Sequence, residues 1–115
     1  MKPLGVNPES VSELIDRARQ FQAQDVMVAP AGTSEAEAKN PALDELRIAL
    51  EDLEPDQQVD LVALMWLGRG DFTVDEWQTA RREAGEQWTP RTAEYLIETP
   101  LLADYWSEGL GLIED

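Results

Sequence analysis

The chain has no cysteine and no histidine among its 115 residues. Without cysteine there are no disulfides, no thiolate metal ligands and no thiol nucleophiles. Without histidine, the commonest general base at neutral pH and the commonest zinc ligand are both missing. Lysine is scarce as well, with only Lys2 and Lys39 present. No apolar run approaches the roughly 20 residues of a membrane span, so no membrane partner is expected. The opening MKPLGVNPES carries one lysine and no apolar stretch, which does not read as a secretory signal. The expected location is therefore the cytoplasm.

Positive charge is also short. The chain has 24 acidic and 9 basic residues, a formal charge of −15. Phosphate backbones and anionic membranes attract lysine and arginine, so nucleic acid is not an expected partner. The plain reading of this acidity is solubility. The functional readings are a basic protein partner or mimicry of DNA charge. The acids are scattered rather than gathered in one run, which favours solubility.

What the chain does have is helical punctuation. Five of its seven prolines stand where a helix can begin, in Asn7-Pro8, Asn40-Pro41, Glu54-Pro55, Thr89-Pro90 and Thr99-Pro100. Proline at the first helical position loses no intrahelical hydrogen bond, and asparagine or threonine before it can cap a free N–H. A further start lacks proline. There Thr73 and Glu76 form a capping box, and Phe72 and Trp77 occupy the positions of a hydrophobic staple. Val6 and Val11 hold the same positions around Asn7.

Apolar residues recur at helical spacing between these starts. Val11, Leu14, Ile15, Ala18 and Phe21 make one stripe, and Leu43, Leu46, Leu50 and Leu53 make another. Leu102, Tyr105, Trp106, Leu110 and Ile113 make a third. The only plausible strand, Val26–Ala29, is too short and isolated to build a sheet. The spacing predicts helices over about 8–23, 41–53, 55–67, 73–87, 90–98 and 100–113. Leu61–Leu67 carries no charge, so its helix belongs inside the domain. The centre of the long connection, Pro30–Ser34, is small and polar and reads as a mobile linker. Ser34 and Glu37 can cap a short turn within it.

The corner Gly68–Trp77 is the first place to look for chemistry. Its aromatic residue followed by Asp75 and Glu76 has the look of half a calcium loop. The Gly68–Phe72 connection is far too short, however, for the roughly twelve residues such a loop needs. Asp75 and Glu76 are better read as acids at the positive end of their helix. Arg69 and Asp71 are the candidate functional corner. Arg69 is either an anion-binding residue or a cation favoured by the helix end before it, with Gly68 and Gly70 making the turn. Arg69-Gly70-Asp71 also spells an adhesion tripeptide, read here as coincidence.

Four tryptophans are many for this length. Trp66 and Trp77 read as core. Trp88 precedes a helix start and reads as half exposed. Tyr105 and Trp106 diverge by about 100° on their helix, so both cannot face inward. Trp88, Tyr105 and Trp106 are the candidate interaction face, since aromatics anchor interfaces. No nucleophile–base pair can be assembled, and the glycines match neither a P-loop nor a dinucleotide fingerprint. No catalytic residue, metal ligand or cofactor is assigned, and the residue types weigh against an enzyme.

Two segments together carry a resemblance. One is Leu64–Phe72 followed by Trp77. The other is Thr92–Tyr105, ending in Glu108-Gly109-Leu110. They resemble a bacterial family catalogued as domain of unknown function 3775, over about residues 43–110. The resemblance implies an all-helical bacterial domain with no assigned activity and no catalytic residues to carry over. Independently of it, Thr99-Pro100 ends one helix and starts the next, with Thr99 as cap. Gly109 and Gly111 weaken the last helix, so that it frays or lets another chain approach closely.

The sequence therefore describes an all-α single-domain bundle of about six helices around a central apolar helix near 55–67. Residues 1–24 form an N-terminal helix, read as an appendage. Residues 25–40 form a linker and residues 41–115 a compact helical domain. The leading functional expectation is a non-enzymatic acidic protein-interaction or regulatory module with an unidentified protein partner. The competing one is a small-ligand or divalent-metal-binding protein, with a weak carboxylate-dependent hydrolase behind it. A homodimer remains open, because helix 100–113 has apolar residues on more than one side.

Overall fold

The uncharged run at Leu61–Leu67 lies where its composition places it. In the computed structural model, which describes residues 5–26 and 41–114, every residue of that run is buried. It belongs to helix α3, Pro55–Arg69. Around it stand α1 (Pro8–Val26), α2 (Pro41–Glu51), α4 (Trp77–Glu86), α5 (Thr92–Ile97) and α6 (Leu102–Glu114). A single 3-10 turn, Val74–Glu76, leads into α4. No strand occurs among the described residues. The fold is thus an all-α single domain, with six helices among those residues. Helix α1 runs on through Val26, past the expected end at 23, so Asp25 and Val26 are helix and not the start of the linker or of the Val26–Ala29 strand. The rest of that strand and the turn capped by Ser34 and Glu37 fall on 27–40, outside the described residues.

The bonds at the helix starts follow the punctuation with one exception, although α5 begins at Thr92, two residues past Pro90, with Arg91 at its N-cap. Asn7 Oδ1 accepts the Glu9 N–H at 2.8 Å, and Glu54 N–H is answered by Gln57 Oε1 at 3.0 Å. At the capping box, Thr73 N–H donates to Glu76 Oε1 at 2.9 Å. Thr89 Oγ1 accepts the Arg91 N–H at 3.0 Å, while Thr92 Oγ1 accepts the Thr89 N–H at 3.0 Å. The exception is Thr99. Its hydroxyl donates back to the Tyr95 carbonyl at 2.9 Å, so it closes α5 instead of capping α6. Leu101 sits in the left-handed region at φ 62°, and α6 starts only at Leu102.

Helix α3 is packed by α6 on one flank and α4 on another, while α1 covers α2 and α6, and α2 meets α5. Val11, Leu14, Ile15 and Ala18 of α1 belong to the same apolar cluster as α3. Each large side chain buried there contributes roughly 1.5–3 kcal/mol.

The two glycines of the corner do different work, and only one is a turn residue. Gly70 ends α3 at φ 94°, with its N–H bonded to Leu67 O at 3.1 Å and the Asp71 N–H bonded to Trp66 O at 3.0 Å. This pair of bonds is a Schellman cap. Gly68, expected in the turn, lies inside α3 instead. A Cβ there would fall 1.8 Å from the Tyr105 carbonyl oxygen, and one on Gly109 would fall 2.4 Å from the Leu64 carbonyl oxygen. Gly68 and Gly109 therefore let the backbones of α3 and α6 touch. The close approach foreseen at Gly109 is made by the chain's own α3, not by a second chain. Trp106 seals this crossing, its indole N–H donating to Leu61 O at 3.0 Å.

Candidate functional site

The corner candidates Arg69 and Asp71 are spent on each other. Arg69 donates to Asp71 Oδ2 from Nε at 2.8 Å and from a terminal nitrogen at 2.6 Å. The hydrogen bond to Asp71 holds the Arg69 guanidinium above its ordinary value, and Tyr95 adds to the effect. Tyr95 Oη in turn accepts the Trp66 indole N–H at 3.0 Å, and Phe72 stacks on Trp66 with ring centroids 5.8 Å apart. The corner is a closed polar–aromatic network in which the cation is already balanced.

The aromatic candidates separate clearly. Trp106 is wholly buried, so it offers no interaction surface; its phase on α6 points it at α3. Tyr105, next to it, is half-buried. Trp88 is half-buried too, and its indole N–H donates to Gln58 Oε1 at 2.7 Å. Gln58 is itself buried and donates to Leu50 O at 2.8 Å. This chain of bonds ties α2, α3 and the Trp88 turn together and fixes the tilt of the indole.

Trp88 forms the shared wall of two cavities. On one side lies an open groove of about 540 Å³ between α3 and α4, lined by Pro55, Val59, Gln78, Arg81 and Arg82. On the other lies a more enclosed chamber of about 230 Å³, bounded by Val62, Ala84, Thr92 and Tyr95. Tyr95 thus links the chamber to the Arg69 corner.

Beneath the groove is a group that sequence reasoning missed. Asp60 is fully buried, with Oδ1 accepting Arg81 Nε at 2.7 Å and Oδ2 accepting the Gly5 N–H. A buried carboxylate is tolerated only when it is paired and hydrogen-bonded in this way. It ties the segment before α1 to α3 and sets Arg81 along the groove. The one signal for it was position, as the last charge before the uncharged run. Tyr95 was missed as well, although it is exposed and touches both the corner and the chamber. Among the described residues, no three or more carboxylates converge as a metal-ligand set, and no buried side-chain polar atom lacks a partner.

The model of a family described as protein of unknown function (DUF3775) matches residues 43–114. The chain belongs to this family. The DUF3775 match takes in nearly all of α2 and everything through α6, so the corner, the groove and the chamber all lie inside it. Helix α1 and Gly5, which reaches Asp60, lie before it. No curated protein and no solved structure matches the chain.

Proposed function

We propose that this DUF3775 protein is a non-enzymatic, acidic protein-interaction module of the bacterial cytoplasm, binding its partner along the groove that Trp88 walls. One observation carries this reading. The Trp88 indole is held by Gln58 at the edge of an open groove, a rigid aromatic anchor that needs little ordering on binding. The groove is broad and unenclosed, which suits a segment of polypeptide better than a small molecule. The charged candidates weigh the same way. Arg69 is balanced by Asp71 and Asp60 by Arg81, so neither pair is poised for acid–base work.

The test is a pull-down from native cell extract at low and high salt, with the wild type and Trp88→Ala as baits. The expected result is a salt-sensitive partner held by the wild type and lost by the variant, with helical circular dichroism unchanged. Equal retention by both baits, or no partner at either salt, overturns the reading.

The enclosed chamber favours a second reading, small-molecule binding. At about 230 Å³ it lies below the roughly 300–1,000 Å³ of most ligand sites, so the ligand would have few atoms. Native mass spectrometry of the purified protein decides it by the presence or absence of a bound small mass.

A further inference from the structure

We propose that α2 carries a second recognition surface, centred on Ile48, for a cationic segment of a partner protein that offers an apolar side chain flanked by lysine or arginine. This goes beyond the Trp88 reading, shares no residue with that groove and does not depend on it.

Ile48 is 64% exposed, more than any other large apolar side chain among the described residues. The core side of α2 is supplied by Ala42, Leu46 and Leu50, all buried, so Ile48 adds nothing to the core. Residues three and four positions away are its neighbours on the helix surface. Here those neighbours are Asp44, Glu45, Glu51 and Asp52, and all four are exposed. Arg47 holds Asp44 at 3.7 Å and Arg17 holds Glu45 at 3.1 Å. Glu51 and Asp52 form no ion pair among the described residues.

Asp52 also borders a groove of about 300 Å³ between α1 and α2. Leu14, Ala49 and Leu53 give this groove an apolar floor, and Glu13 and Asp52 line it beside Arg17, whose charge Glu45 already takes. The surface is therefore an apolar point and an apolar trough joined by one acidic border. Ion pairing within the fold accounts for Asp44 and Glu45 but not for Ile48, Glu51 or Asp52. A β-branched residue on an exposed helix face is a poorer helix former than alanine, and carboxylates gathered on one face repel. Lysine and arginine match both parts, because their aliphatic stems cover apolar surface while their charged heads reach carboxylates. A second copy of the chain does not match, since at a charge of −15 it would bring acid to acid.

The experiment uses three synthetic helical peptides of equal length, titrated into the isotope-labelled full chain and followed by NMR. The first places leucines at helical spacing among lysines. The second replaces the leucines with serine, and the third replaces the lysines with glutamate. Expected is saturable binding of the first peptide alone, with the largest shifts at residues 44–53 and Glu13. Affinity should fall about tenfold in Ile48→Ala, as for an interface anchor. It should also fall severalfold in the double variant Glu51→Gln, Asp52→Asn, and stay unchanged in Leu112→Ala, which removes an exposed apolar side chain on α6. Ile48→Ala will fold, since the site is exposed and alanine is the better helix former; an unchanged melting temperature verifies this. Equal binding of the serine peptide, shifts centred elsewhere, full affinity in Ile48→Ala, or loss of binding in Leu112→Ala would each overturn the proposal.

Discussion

Helix α3 is held on two flanks by opposite means. Against α6, two glycines bring backbone onto backbone, and the one polar side chain at the crossing, Trp106, is tied to the Leu61 carbonyl. Against α4 and the Trp88 turn, the contact runs through long polar side chains. Asp60 reaches Arg81 and Gln58 reaches Trp88, and between them a groove stays open. The first flank has no room for anything else. The second keeps space and polar groups at its surface while satisfying every buried one. The comparison teaches where to look for function, which is on the flank whose packing is incomplete.

The largest test of this contrast sets two glycines of one corner against each other. Gly68→Ala drives a methyl into the α6 backbone and should cost roughly 4 kcal/mol or more, a large share of the stability of a domain this size. Gly70→Ala meets open space and bears only left-handed strain, about 1–2 kcal/mol. Urea denaturation of both variants measures the difference, and equal costs would mean that α3 and α6 do not touch at Gly68.

On the polar flank, Asp60→Ala leaves Arg81 and the Gly5 N–H without their partner and should cost about 3 kcal/mol. The crossing with α6 should survive, so near-ultraviolet circular dichroism from Trp106 is expected to persist at temperatures where the variant is still folded.

The smallest effect lies away from both flanks. Arg47 donates to Glu94 at 2.6 Å, joining α2 to α5, and this bond holds the Glu94 carboxyl below its ordinary range. A carboxylate with a lowered folded-state value stabilises the fold above the unfolded value. That contribution disappears as pH falls through the folded one. Both side chains keep about a third of their exposure, which screens the pair, so Glu94→Gln should cost under about 1 kcal/mol at pH 7. The gap between wild type and variant should narrow and close as pH falls below the ordinary glutamate range in paired denaturation curves.

Much of the fold was legible because helix signals are local. The uncharged run Leu61–Leu67, the proline starts and the Thr73–Glu76 box each declare themselves within a few residues. Gly68 was not legible. A glycine needed for positive φ and a glycine needed for its missing Cβ look alike until the partner strand of chain is known, and here that partner is α6. Asp60 was hidden among 24 acids, with only its place before the apolar run to mark it. Tyr105 and Trp106 could be told apart only once the face of α6 toward α3 was known. The half-exposure of Trp88 was legible because a tryptophan just ahead of a Thr-Pro start has little core to enter.

Amide hydrogen exchange across α3, α4 and α6 tests the contrast most directly. The amides of Leu61–Arg69 and of the α6 segment around Gly109 should exchange only through global unfolding. Those of Trp77–Glu86 should exchange through a cheaper local opening that frees the groove wall. If α4 proves as protected as α6, or if α6 opens first, then α3 does not have one sealed flank and one open flank, and the groove loses its claim as the place of recognition.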